Sequence, residues 1–178
     1  MTPEIAATPI ATYRRSTAAD AETVFDLTAA AVAPLAPDPY PEKVVETWMT
    51  GRTPESYRIE CAAGSLWIAE IDGHPAGYCH AVPGEVVRLF VSPQFGGNGI
   101  GRSLMALALA DARSGWNGPI RIDATLNAVP FYRKWGFVER ADGFFSGRSR
   151  DLPEIAVKIM ESNGPSESDD RTEVQDRT

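Results

Sequence analysis

Two kinds of hydrophobic spacing alternate along the chain. Runs rich in β-branched and aromatic residues, which favour strands, are separated by segments whose apolar residues recur every three to four positions, which favour helices. The predicted strands cover residues 13–16, 66–71, 76–82, 85–91, 119–124, 137–139 and 155–160. The predicted helices cover residues 17–32, 42–50, 54–64, 98–113 and a short segment around Tyr132. Residues 142–153 fit neither pattern, and the order of the other segments predicts a mixed α/β sheet flanked by helices.

A cluster of glycines lies between the strand at 85–91 and the helix at 98–113. Its members are Gly96, Gly97, Gly99 and Gly101. Glycine permits a positive φ and lets a ligand lie against bare backbone. The first turn of the following helix adds N–H groups without acceptors and the positive end of the helix dipole. The segment therefore predicts a binding site for a phosphate or pyrophosphate group.

The spacing of these glycines separates three known loops. A dinucleotide-binding G-x-G-x-x-G loop that starts at Gly97 requires a glycine at position 102, where the chain has Arg102. A Walker A loop matches Gly96 to Ser103, except that Arg102 replaces the lysine whose compact ammonium contacts the β- and γ-phosphates. The third pattern is V-x-P-x-x-[Q/R]-G-x-G-[I/V]-G-x-x-L, from which the chain departs only at Gly96. It is matched by Val91, Pro93, Gly97, Gly99, Ile100, Gly101 and Leu104.

The third pattern is the signature of the GNAT (general N-acetyltransferase) superfamily, which residues 12–160 closely resemble. A second segment, NAVPFYRKWGF at 127–137, is similar to the family's N-x-x-x-F-Y-x-x-x-G-F motif. Locally it predicts a short helix that Asn127 caps, with Pro130 in the first turn and Gly136 at the end. The resemblance implies the acyl-CoA N-acyltransferase fold, a mixed central sheet whose fourth and fifth strands splay apart between flanking helices.

The resemblance also implies a reaction, the transfer of an acetyl group from the cosubstrate acetyl-CoA to a primary amine. The CoA pyrophosphate is expected at the amides of the glycine loop and the pantetheine arm along the strand at 85–91, where an amide near Leu89 or Phe90 would face the thioester oxygen. Asn127 would bond the pantetheine or cap its helix. The expected cofactor-binding residues are Leu89, Phe90, Val91, Gly96, Gly97, Asn98, Gly99, Ile100, Gly101, Arg102, Ser103, Asn127 and Tyr132.

Three residues are candidates for proton transfer. By resemblance, Tyr132 points at the CoA sulfur and donates a proton to the leaving thiolate. The attacking amine must be neutral, yet an alkylammonium has a pKa of about 10, so a base is expected as well. Glu85 occupies the place of a glutamate base in several family members, and His80 on the neighbouring strand titrates near neutral pH. Glu85, His80 and a chain of water molecules remain alternatives for the base, and no metal site is expected.

Composition and charge narrow the function classes. The formal charge of −7 lies largely in residues 161–178, which carry six acids and two bases and are expected to form a disordered tail; residues 1–11 are expected to be a flexible N-terminus. No basic cluster indicates a nucleic-acid surface, and no apolar run approaches the roughly 20 residues of a membrane span. The two cysteines, Cys61 and Cys79, are too few for a disulfide framework and lack the spacing of metal ligands, so we expect free thiols. The chain shows no secretion signal, so we expect a cytoplasmic protein.

Three classes of function are consistent with the sequence. The first is an N-acetyltransferase that works by direct attack of the amine in a ternary complex. The second is a catalytically silent GNAT-like module that binds CoA, and the third is a nucleotide-binding protein that uses the Walker-like loop around Arg102. The amine acceptor is a small molecule or a peptide whose identity the sequence leaves open, and the resemblance allows a homodimer.

Overall fold

A mixed sheet of seven strands organises the computed structural model, which describes residues 9–145 and 148–162. The strands are β1 (Ala11–Arg15), β2 (Leu66–Ile71), β3 (His74–Val82), β4 (Glu85–Val91), β5 (Arg121–Thr125), β6 (Phe137–Phe144) and β7 (Ala156–Ser162). Their spatial order is β1-β2-β3-β4-β5-β7-β6. Neighbouring strands run antiparallel except β4 and β5, which run parallel.

Helices cover both faces of this sheet. They are α1 (Ala21–Val32), α2 (Glu42–Glu46), α3 (Arg58–Ala62), α4 (Ile100–Arg113) and α5 (Val129–Arg133). The core on one face forms around α4, where Leu104 packs with Val86 and Ile122. The core on the other face joins α1 and α3 to β2 and β3 through residues such as Leu66 and Tyr78. None of the helices in the described part of the chain is long and apolar enough to cross a membrane.

The parallel pair β4 and β5 meets at one point only. Glu85 pairs with Arg121, and the Arg121 N–H donates to the Gly84 carbonyl at 2.9 Å. Beyond that pair β5 bonds only to β7, through five consecutive residue pairs. The two strands therefore diverge along most of β4, which confirms the predicted splay between the fourth and fifth strands.

Some predicted boundaries differ from the structure. α2 ends at Glu46 rather than near 50, because the next residues form turns with bonds three positions apart, such as Trp48 N–H to the Val45 carbonyl at 3.1 Å. β6 extends to Phe144, five residues beyond its predicted end, because it is an edge strand with mostly exposed side chains and therefore lacks a hydrophobic pattern.

The folded unit is slightly longer than the predicted 12–160. β1 begins at Ala11, and β7 continues to Ser162, so that Glu161 pairs with Arg121 instead of belonging to the acidic tail. The start predicted for the tail, residue 161, is therefore two residues too early. The remainder of the predicted tail, 163–178, and residues 1–8 of the predicted N-terminus lie outside the described residues.

Candidate active site

A β-bulge lies in β4, at the centre of the sheet. Arg88 pairs with His80 of β3, but Val86 pairs with Ala81, so Val87 is an extra residue between two cross-strand pairs. An extra residue of this kind bends the strand and reverses the alternation of its side chains. The bulge therefore changes which side chains of β4 lie on each face of the sheet.

The bulge determines which side chains share a face. Val86 and Leu89 both pack into the core around α4, although they are three positions apart. Phe90 packs on the opposite face, against Tyr78. Glu85 and Arg88, also three positions apart, line the same cleft. In a strand without a bulge, residues three positions apart point to opposite faces.

This cleft, which we call the inner cleft, has a volume of about 240 Å³ and lies where β4 and β5 diverge. β4 contributes Glu85 and Arg88, β5 contributes Asp123, and α5 contributes Tyr132. The side chains of Trp48, Arg52 and Phe145, from segments that follow α2 and β6, complete the wall. Charged and aromatic groups thus converge at the opening of the sheet, the usual place for a small-molecule site.

A second cleft continues from the first along β4. We call it the outer cleft; its volume is about 280 Å³, and it is lined by residues that include Val91, Gly101, Asn127 and Phe131. Four residues, Leu89, Phe90, Thr125 and Tyr132, line both clefts. The two clefts therefore form one groove that runs from the glycine loop to the inner cleft.

The glycine loop forms the N-terminal end of α4. Gly97 and Gly99 have φ of 80° and 74°, and Gly99 is the N-terminal cap of the helix. A Cβ at either position would meet no heavy atom within 4 Å, so the backbone is open to a ligand there. Since Ser103 N–H bonds the Gly99 carbonyl at 3.1 Å, the helix has no internal acceptors for the three amides before it, those of Ile100, Gly101 and Arg102.

Two amides at the ends of the predicted 96–103 segment bond inside the protein, whereas at Asn98 the side chain does so. The Gly96 N–H donates to the Pro93 carbonyl at 3.1 Å, so the amides of Gly96 and Ser103 are both used inside the protein. Asn98 is exposed, and its side-chain amide donates to the Phe95 carbonyl at 3.0 Å. Among the described residues, the main-chain N–H groups of 97–102 have no acceptor, so the donors available to a ligand lie between the two ends of the predicted 96–103 segment.

The segment after β5 carries the second motif. Pro130 lies in the first turn of α5 and Gly136 has a φ of 84°, both as the sequence predicts. The capping role predicted for Asn127 is wrong, because a 3-10 turn at Leu126–Ala128 precedes α5 and makes Ala128 its cap. Asn127 instead lies exposed at the outer cleft, where a ligand can reach its side chain.

Tyr132 is buried at the junction of the two clefts, with 4% of its surface exposed. Its ring packs against Phe131 and Phe137, at centroid distances of 5.2 and 6.1 Å. Burial first, and then the electrostatic effect of Cys79, raises the pKa of Tyr132 above the usual tyrosine value. The hydroxyl therefore stays protonated near neutral pH and is suited to donate a proton.

The two candidate bases lie in different surroundings. Glu85 lines the inner cleft together with Tyr132. His80 is 7% exposed and does not line either cleft, although it faces Arg88 across the β3–β4 pair. Burial first, and then the charge of Arg88, lowers the pKa of His80, so the imidazole is neutral at neutral pH. The structure thus brings Glu85, but not His80, to the groove.

Several groove residues were not predicted from the sequence. Asp123 lines the inner cleft and accepts a hydrogen bond from Arg121 Nε at 2.9 Å. One signal in the sequence could have identified Asp123. It is an acidic residue between two apolar residues of β5, Ile122 and Ala124, which are both buried. Arg52 lies in a turn without a recognisable pattern, and no local signal connects it to the site.

A sheet that opens between two parallel strands, with a glycine-capped helix at the opening, defines the acyl-CoA N-acyltransferase fold. The family profile described as "Acetyltransferase (GNAT) domain" matches residues 35–151, which is more than half of the chain. The chain therefore belongs to the GNAT acetyltransferase family, whose cosubstrate is acetyl-CoA. This confirms the family, the fold and the cosubstrate expected from the two motifs.

Individual relatives are distant. An uncharacterized N-acetyltransferase of Escherichia coli, YafP, is 24% identical over 81 residues, which span 46% of this chain and 51% of the relative. The match thus covers about half the length of that relative. Among solved structures, a GCN5-related N-acetyltransferase from Rhodopseudomonas palustris superposes with a TM-score of 0.76 at 23% identity, over 91% of this chain and 99% of the other.

Two further structures were solved with the cofactor bound. PaiA N-acetyltransferase from Thermoplasma acidophilum in complex with coenzyme A has a TM-score of 0.67 at 18% identity, covering 86% of this chain and 99% of that one. The protein yncA from Salmonella typhimurium, solved with its cofactor acetyl-CoA, has a TM-score of 0.58 at 18% identity, covering 89% of this chain and 96% of that one. At these identities the similarity establishes the fold and not the acceptor.

Proposed function

We propose that this protein transfers the acetyl group of acetyl-CoA to a primary amine of a small molecule or peptide, by direct attack in a ternary complex. The observation that carries the proposal is that Glu85 and Tyr132, from β4 and α5, line one cleft where the sheet opens. A carboxylate and a protonated phenol at one site provide the acceptor and the donor that aminolysis requires.

The residues at the glycine loop fit the diphosphate of the cosubstrate. Ile100, Gly101 and Arg102 present amides that have no acceptor in the helix, and the dipole of the 14-residue α4 favours negative charge at that end. The open space around Gly97 and Gly99 lets phosphate oxygens approach the main chain. These features support the backbone contacts that the sequence motif predicts.

The edge of β4 fits the pantetheine arm. Past Glu85, β4 has no pairing partner in β5, so the main-chain groups on that side can bond the amides of an extended ligand. Leu89, Phe90 and Val91 form this edge and line the outer cleft together with Asn127. An amide near Leu89 or Phe90 would donate to the thioester oxygen and stabilise the negative charge that develops there.

Two side chains of the groove would move the protons. Acetyl-CoA supplies an acyl group that is activated as a thioester. Glu85 would accept the proton of the incoming ammonium, directly or through water, and Tyr132 Oη would donate a proton to the departing sulfur. His80 is the weaker candidate for the base, because it lies outside the cleft lining.

The proposal is tested by following thiol release from acetyl-CoA with a panel of amines. We expect Tyr132→Phe to lower kcat at least tenfold, which corresponds to about 1.4 kcal/mol of barrier, while the Kd for acetyl-CoA stays within about twofold. Tyr13→Phe is the matched control, because it removes the same atom outside both clefts. Equal turnover in Tyr132→Phe would remove the acid role. Binding of acetyl-CoA without thiol release for any amine would identify a silent CoA-binding module instead.

The base is tested separately through pH. In Glu85→Gln the acceptor must arrive already neutral, so we expect low activity at pH 7 and recovery toward pH 10, where an alkylamine deprotonates without help. His80→Ala should keep the pH profile of the unmodified protein. If the two variants exchange these profiles, His80 is the base and the assignment of Glu85 is wrong.

A further inference from the structure

Arg88 is an unusual residue in the middle of a central strand. It lines the inner cleft, and 27% of its side chain is exposed. Its Nη1 is buried and makes no hydrogen bond to the described residues. Nη1 forms an ion pair with Glu60 Oε1 at 3.6 Å, a distance too long for a hydrogen bond. An arginine carries five N–H donors, so this guanidinium retains donors for a ligand.

The groups around Arg88 hold its guanidinium in place but do not accept hydrogen bonds from all of its N–H donors. Its guanidinium carbon lies 5.4 Å from the centre of the Tyr57 ring, within the range of a cation–π contact. Tyr57 Oη is buried and also has no hydrogen-bond partner among the described residues. Buried polar groups are normally hydrogen-bonded, so an acceptor on a ligand in the cleft that Arg88 lines would satisfy its remaining donors.

A second guanidinium lines the same cleft. Arg52 projects from the turn after α2, while Glu85 and Asp123 come from the sheet. Within the described part of the chain, Arg88 is ion-paired with Glu60 at 3.6 Å and Asp123 with Arg121 at 2.9 Å, so the lining charges without an ion-pair partner are Arg52 and Glu85. This balance fits a ligand that carries one positive and one negative group. A polyamine or an aminoglycoside would bring several cations toward two guanidiniums.

Position and size agree with a small zwitterion. Because of the bulge, Arg88 and Glu85 lie on the same face of β4 within three residues of each other. The cleft volume of about 240 Å³ is below the roughly 300–1,000 Å³ of most ligand sites, which favours an acceptor much smaller than an aminoglycoside. Trp48 and Phe145, in edge contact at 6.1 Å, offer an apolar wall to the rest of the molecule.

We propose that the acceptor is an amine that also carries a carboxylate, as a free amino acid with an apolar side chain does. Arg88 and Arg52 bind the carboxylate through charge-assisted hydrogen bonds, and the amine is directed at Glu85. This inference rests on the proposed acetyl transfer and specifies its substrate class.

The test compares amines that differ only in the carboxylate. Thiol release from acetyl-CoA is measured with leucine and 3-methylbutylamine, with phenylalanine and 2-phenylethylamine, with leucinamide and with spermidine. We expect kcat/KM to be at least tenfold higher for each amino acid than for its decarboxylated partner. In Arg88→Met this ratio should fall toward one, and Arg88→Lys should restore only part of it, because lysine lacks the forked donor geometry.

Controls separate failure of this inference from failure of the proposed function. Arg140→Met removes an arginine of β6 that pairs with Glu161 and lies outside the cleft lining, so the ratio should persist. If Arg88→Met does not fold, Arg52→Met provides the same readout. A preference for 3-methylbutylamine, leucinamide or spermidine would overturn the carboxylate site and leave acetyl transfer standing. Absence of thiol release with every amine would overturn both.

Discussion

Gly99→Ala tests whether the left-handed turn before α4 is what presents the loop amides to the cosubstrate. Gly99 has φ 74° and ψ 6°, a conformation that costs an alanine about 1–2 kcal/mol. The added Cβ would meet no heavy atom within 4 Å, so the penalty comes from the backbone conformation and not from a collision inside the protein.

That penalty appears in one of two measurable places. If the loop keeps its shape, the free energy of unfolding falls by about 1–2 kcal/mol, and Tm falls by roughly 2–8 °C for a protein of this size. If the loop relaxes in the free protein, binding must restore the turn, and the Kd for acetyl-CoA rises roughly 5- to 30-fold. The two effects together should account for the cost of the turn.

Gly115→Ala is the matched control. Gly115 follows α4 with φ 69°, an added Cβ there would also meet no heavy atom within 4 Å, and the residue lines neither cleft. Gly115→Ala should therefore lower Tm by a similar amount, while Kd from isothermal titration stays within about twofold. The reasoning is refuted if Gly99→Ala changes neither quantity, or if Gly115→Ala weakens binding as much as Gly99→Ala does.

Two further predictions concern stability. Tyr40 Oη donates to the Ala156 carbonyl at 2.6 Å and accepts from Leu126 N–H at 2.9 Å, so Tyr40→Phe should lower the free energy of unfolding in urea by about 1–3 kcal/mol; an unchanged midpoint would contradict this. The Arg14 guanidinium holds the pKa of the Asp20 carboxyl below its usual value, so the pair stabilises the fold above about pH 4 and less as pH falls further. The Tm deficit of Asp20→Asn should therefore shrink between pH 7 and pH 3, and a constant deficit would exclude the ion pair as its cause.

The sequence predicted those parts of the fold whose signals are local. β4 spans Glu85–Val91 as expected, because its apolar run is bounded by Gly84 and Pro93. The hairpin between β2 and β3 turns at Asp72 and Gly73, whose φ values of 50° and 80° fit the predicted turn. The end of β6 was missed because an edge strand exposed to solvent does not need to alternate.

The site was predictable only where it coincides with a motif. The glycine loop and Tyr132 belong to motifs, and the structure places both along one groove. Arg52 and Asp123 come from separate segments, and no local pattern reports which side chains converge after folding. The bulge at Val87 is also invisible within a continuous apolar run, yet it decides that Arg88 lines the cleft with the strand's glutamate.

The single contact between β4 and β5 has a mechanical consequence. It divides the sheet into two blocks. One block contains β1, β2, β3 and β4, and the other contains β5, β7 and β6. The one residue pair of the sheet that joins the two blocks is Glu85–Arg121. An extended molecule that bonds the free edge of β4 would act as a temporary strand and stiffen the junction between the blocks. Occupancy of the groove would then slow amide hydrogen exchange along β4, so the ligand would complete the architecture that holds it.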